Sequence, residues 1–117
     1  LKVTGIAANA FKGNKKMTSV TIGSNVKTIG SGAFMNCRNL TRVTVTAKGL
    51  TSIGKNAFKG DRKLKTVNLR KVKALKKVGK GAFKGISKKV TVKVPKQKKK
   101  AYSKLLKKAG IAAGRIK

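Results

Sequence analysis

The sequence has almost no negative charge: Asp61 is the single acid, set against 32 Lys and Arg, for a formal net charge of +31. Histidine is absent, so general acid–base catalysis has neither an imidazole nor a carboxylate pair to work with, and no enzyme is expected. The one cysteine, Cys37, has no partner for a disulfide within the chain. Without His, a Cys/His metal site cannot be assembled, and no metal or cofactor is expected. No apolar run approaches the ~18 residues of a membrane-spanning helix. What is left is 117 residues, 39% of them hydrophobic, which is one domain's worth of chain with enough apolar side chains for a core. A molecule this basic repels itself and attracts any polyanion nearby. The chain opens on Leu1 with no charged-then-apolar leader, and is read as a piece of a longer polypeptide.

What is present is one phrase, said four times. IAANAFKG (6–13), IGSGAFMN (29–36), IGKNAFKG (53–60) and VGKGAFKG (78–85) place Phe11, Phe34, Phe58 and Phe83 at intervals of 23, 24 and 25 residues. A period in the twenties, repeated more than three times, is the signature of a solenoid. Six, nine and eleven places after Phe come Met17, Val20 and Ile22, then Leu40, Val43 and Val45, then Leu64, Val67 and Leu69. The last two of each set alternate with polar residues, as a short strand with one buried face requires. In the fourth repeat Val90, Val92 and Val94 follow Ile86, and the strand there is expected to be shifted or shortened. Five and eight places before Phe stand Val3/Ile6, Val26/Ile29, Leu50/Ile53 and Leu75/Val78, with room for one more extended or turn-like segment per coil.

The residues two before Phe are Asn9, Gly32, Asn56 and Gly81, and those two after are Gly13, Asn36, Gly60 and Gly85. Gly and Asn tolerate positive φ better than other residues. Each coil is therefore expected to turn a corner through two left-handed residues, with its Phe directed inward.

The phrases LTRVTV (40–45) and LTSIGKNAF (50–58) resemble the BspA-like leucine-rich repeats of bacterial surface proteins, and Cys37 stands where that family often carries Cys. The resemblance implies a leucine-rich-repeat solenoid of short parallel strands with turns or short helical pieces, displayed outside the cell on a bacterial surface or wall. It also implies use in adhesion or recognition, with a host or bacterial surface protein, an anionic glycan or a wall polymer as partner. The basicity is not general to the family.

The solenoid is expected over 1–94, in four repeats, followed by a basic C-terminal capping helix and tail over 95–117. In PKQKKKAYSKLLKKAG, Pro95 suits a first helical turn and Gly110 a position just past the last. Tyr102, Leu105, Leu106 and Ala109 recur at helical spacing between lysines. A basic amphipathic helix also suits a membrane surface or nucleic acid, but repeat arrays need caps, and the cap is the favoured reading.

The cations crowd the segment after each Phe, and Lys15, Lys16, Arg38, Arg62, Lys63, Lys88 and Lys89 form a candidate ridge for a linear polyanion. A solvated edge that keeps a repetitive β protein soluble explains them equally well. The strands instead present Thr18, Thr21, Arg42, Thr44, Lys65, Asn68 and Lys93, a candidate surface for a protein partner. A basic nucleic-acid-binding protein is the alternative function. Single-strand recognition needs exposed aromatics for bases to stack on. With the Phe residues committed to the core only Tyr102 remains, so nucleic acid would bind non-specifically, through charge. Cys37 beside Arg38 has a cation that would favour its thiolate, but Asn14, Asp61 and Ile86 occupy the same place in the other coils, which marks a structural thiol.

Overall fold

The computed structural model describes residues 3–117; the first two residues of the expected 1–94 segment lie outside them. The chain winds as a solenoid of four coils with two strands per coil: β1 Gly5–Ile6, β2 Ser19–Ile22, β3 Thr28–Ile29, β4 Arg42–Val45, β5 Ser52–Ile53, β6 Thr66–Asn68, β7 Lys77–Val78 and β8 Thr91–Lys93. They form two parallel sheets, ordered β1-β3-β5-β7 and β2-β4-β6-β8. The second apolar pair of each coil is thus a true strand, only two residues long. The fourth coil is not shifted. Val92 pairs with Val67, and β8, as long as β6, is one residue shorter than β2 and β4. Only the apolar residue ahead of the strand has moved, to Val90.

All eight corner residues take positive φ, from 59° at Asn9, Asn36 and Asn56 to 79° at Gly60. Side chains with a Cβ resist this region, and Asn is the common exception. The corners also join coil to coil. The Phe11, Phe34 and Phe58 amides donate to the carbonyls of Ala33, Ala57 and Ala82 at 2.7, 2.8 and 2.7 Å. The four rings consequently stack, with centroids 5.2–5.3 Å apart and planes within 12°. Phe34, Phe58 and Phe83 are sealed in the core, whereas Phe11 is 42% exposed, with no described coil packed in front of it.

The last coil is covered. A 3₁₀ turn, Lys96–Lys98, leads from Pro95 into α1, Lys99–Lys108, which buries Tyr102 and Leu106. The Tyr102 hydroxyl donates to the Val72 carbonyl at 2.8 Å and accepts from the Leu75 amide at 3.2 Å. Past α1, Ala109 accepts from the Phe83 amide at 2.9 Å, as Ala33, Ala57 and Ala82 do for the earlier phenylalanines. Ile116 pairs in parallel with Val92, and the Lys117 amide donates to the Val92 carbonyl at 2.7 Å. The tail reproduces some of the hydrogen bonds of a fifth coil without being one.

Candidate polyanion-binding ridge

The ridge starts where each corner ends, at the fourth and fifth residues after Phe. The fourth-place residues are Lys15, Arg38, Arg62 and Ser87, and the fifth-place ones Lys16, Asn39, Lys63 and Lys88. Parallel stacking sets neighbours in each column roughly 5 Å apart at the backbone, the ordinary strand spacing. Unit charges at that distance repel by roughly 0.8 kcal/mol in bulk water, and splayed side chains relieve part of it. Asn39 relieves more. It interrupts the fifth-place column, accepts from the Lys63 ammonium at 3.1 Å and donates to the Lys15 carbonyl at 2.7 Å.

Lys15, Arg38, Asn39, Arg62 and Lys63 line one groove of about 460 Å³. Four of the seven expected ridge cations are therefore brought together. Lys16 is exposed beside them, its amide donating to Asn14 Oδ1 at 2.9 Å. Lys88 and Lys89 are set apart, because Ser87 takes the fourth place in coil four; Lys88 instead lines a depression with Arg115 and Ile111. Asn39 was not among the expected site residues, although a lone amide in a column of lysines was the visible signal.

No surface carboxylate side chain neutralises the groove. Asp61, next to Arg62, is fully buried with its Oδ1 accepting from the Cys37 amide at 2.8 Å. Its Oδ2 has no partner, and burial raises its pKa to about 8 against that hydrogen bond. Cys37 is equally sealed. Its thiol donates to the Phe11 carbonyl at 3.2 Å, and burial, with Asp61 nearby, pushes its pKa up to about 11. A thiol held neutral and out of solvent is no nucleophile.

The strand-face residues are distributed over three columns. Thr21, Thr44, Asn68 and Lys93 align in register across β2, β4, β6 and β8; Arg42 lies in the column of Ser19, Thr66 and Thr91. Thr18 and Lys65 flank Thr41, joined through backbone hydrogen bonds. Among the described residues no group of three His, Cys, Asp or Glu could hold a metal ion, and no helix is long and apolar enough to cross a membrane.

Residues 2–112 match the family model described as "BspA type Leucine rich repeat region (6 copies)". The chain belongs to the BspA-type leucine-rich-repeat family. A crystal structure of a leucine-rich repeat protein from Bacteroides capillosus is similar, with a TM-score of 0.63 and 28% sequence identity. That likeness covers 79% of this chain and 63% of the other, so this chain spans less than two thirds of its structural relative. A comparison with curated proteins finds no match. Leucine-rich-repeat domains are general protein-interaction scaffolds, typically non-enzymatic, and BspA-type repeats are typically found in surface proteins.

Proposed function

We propose that this BspA-type solenoid is a non-enzymatic binding and adhesion module of a bacterial cell-surface protein, and that its ridge engages a linear anionic polymer of a wall or glycan. The observation that carries this is the groove of Lys15, Arg38, Arg62 and Lys63, organised by Asn39, on a molecule with no surface carboxylate side chain to fill it. A row of cations at strand spacing suits a chain of regularly spaced anions better than one small ion. The Thr-rich strand face is left free for a protein partner, on the surface where Thr21, Thr44, Asn68 and Lys93 align.

Dedicated nucleic-acid binding has less support. Tyr102 is buried with its hydroxyl bonded to Val72, three of the four Phe are sealed, and no aromatic platform accompanies the groove. The test compares a sulfated glycan with duplex DNA of matched charge at roughly 0.15 M salt, where long-range attraction is screened to about 8 Å. The glycan should remain bound while DNA binding weakens to the non-specific range. DNA held as tightly as the glycan would contradict the reading.

A further inference from the structure

The seam between the fourth coil and the end of α1 holds a second cationic feature that shares no residue with the ridge groove. Lys55, Lys59, Lys80, Lys84 and Lys108 line an open depression of about 480 Å³ together with Gly81. These lysines flank the corner: Lys55 and Lys80 stand three places before Phe, Lys59 and Lys84 one place after, and Lys108 ends the helix. The first two coils turn the same corner with Ala8, Lys12, Ser31 and Met35 at those positions. Lysine is therefore not required by the turn, and its concentration beside the cap needs another reason.

The backbone supplies one. Each earlier corner passes an amide to the next coil: Asn9, Gly32 and Asn56 donate to the carbonyls of Ser31, Lys55 and Lys80 at 2.9, 2.9 and 3.2 Å. Gly81 is the fourth member of that series. The cap supplies Ala109 as acceptor for Phe83, but among the described residues nothing accepts from the Gly81 amide. That N–H, on the side where a fifth coil would lie, belongs to a half-buried residue in a depression lined by lysine side chains. An unpaired backbone donor in such a place calls for an acceptor. Backbone amides beside cationic side chains are the usual construction of oxyanion and phosphate sites. The negative end of the α1 dipole opposes an anion. The Leu106 and Lys107 carbonyls at that end, however, already accept from the amides of Ala109, Gly110 and Ile111.

We propose that this seam binds a phosphate group, with the Gly81 amide and the Lys80, Lys84 and Lys108 ammonium groups as its ligands and Lys55 and Lys59 widening the positive field. The site is independent of the ridge. Inorganic phosphate and a phosphate ester present the same oxygens.

The experiment is an NMR titration of the full, ¹⁵N-labelled chain at constant ionic strength, with inorganic phosphate in one arm and glycerol phosphate in the other. The Gly81 amide signal should shift and saturate. Lys84→Gln and Lys108→Gln should each weaken that binding about ten-fold, the loss of one charge-assisted hydrogen bond. Lys84→Arg should retain it, and Lys15→Gln with Arg38→Gln should leave it within about two-fold. Saturation in both arms identifies an ester-compatible site, and saturation with inorganic phosphate alone restricts it to the free ion. A Gly81 shift that grows without saturating, or equal weakening by the ridge variants, would overturn the site and leave only a diffuse field.

Discussion

The two ends of the solenoid solve the same problem differently. At the C-terminal end a chemically different element takes over the coil's bonds: Ala109 serves Phe83, Tyr102 serves Val72 and Leu75, and Lys117 serves Val92. Phe83 is consequently as buried as Phe58. At the N-terminal end nothing described does this, and Val3 and Phe11 are 61% and 42% exposed over an apolar depression of about 630 Å³. The first coil nevertheless differs from the others in an informative place. At Gly54 an added Cβ would meet the Ser31 amide nitrogen of the preceding coil at 2.5 Å, and Gly30 and Gly79 are as tight. The corresponding residue of coil one is Ala7. No described residue packs in front of that methyl group, so coil one holds a Cβ where each inner corner needs glycine to admit the coil before it. In a repeat array the interior positions report on their neighbours.

Removing residues 96–117 should produce the largest effect, because it turns the closed end into a second open one. Phe83, Val92 and Val94 would lose their cover and two strand edges would be freed, which favours aggregation and lowers stability. Size-exclusion chromatography and thermal melting measure this. A truncated chain that stays monomeric with an unchanged midpoint would show that the helix is not a cap.

A subtler comparison exchanges one ring at each end. Phe83→Ala should cost about 3–5 kcal/mol, the usual range for emptying a packed aromatic site. Phe11→Ala should cost only about 1 kcal/mol, since much of that ring is already in water. Denaturant unfolding of the two variants gives the difference directly, and equal losses would mean that Phe11 is covered in solution.

A third comparison concerns one column of the array. Asn14, at the open end, is half-buried and its Oδ1 accepts from its own loop amides, Lys16 and Met17. Asp61, two coils inward, is sealed with one oxygen unpartnered. With no His and no other acid, Asp61 is the only side chain expected to titrate between about pH 4 and pH 8. Its folded pKa is raised, so its contribution is fully present below the unfolded value near 3.8 and is lost as pH rises through about 8. Thermal stability should therefore fall with rising pH across that window, opposite to acid denaturation. Asp61→Asn should flatten the profile, and an unchanged slope would place the carboxyl in contact with water.

The corners were legible in the sequence because positive φ leaves so few residue choices: eight positions carried only Gly or Asn, and all eight are left-handed. The larger sheet was legible from alternation, and α1 from its apolar spacing between Pro95 and Gly110. Pairs such as Leu50/Ile53 left the smaller sheet ambiguous, since a two-residue strand is too short to show a period. The exposure of Phe11 was hidden for another reason. A period says what each residue would do inside an array, not which coil lacks a neighbour. The same holds for Gly81, whose missing acceptor follows from what replaces the fifth coil. On the ridge, the columns of Lys15, Arg38, Arg62 and Lys63 followed from spacing, whereas Ser87 and the one-place displacement of Lys88 and Lys89 decided where the groove ends.

The central claim is that these cations form a site, confined to the coils that build the groove, and a salt titration tests it most directly. One variant changes Lys15, Arg38, Arg62 and Lys63 to Gln, and the other changes Arg42, Lys65 and Lys93 on the strand face. Affinity for a sulfated glycan is then measured across a range of salt. The ridge variant should bind weakly and show a flatter log–log slope. On duplex DNA the slope changes by roughly 0.9 for each phosphate that is no longer neutralised, which sets the scale expected here. The strand-face variant should stay close to the parent. Equal losses of affinity and slope in the two variants would contradict the account and reduce the ridge to a solvated edge.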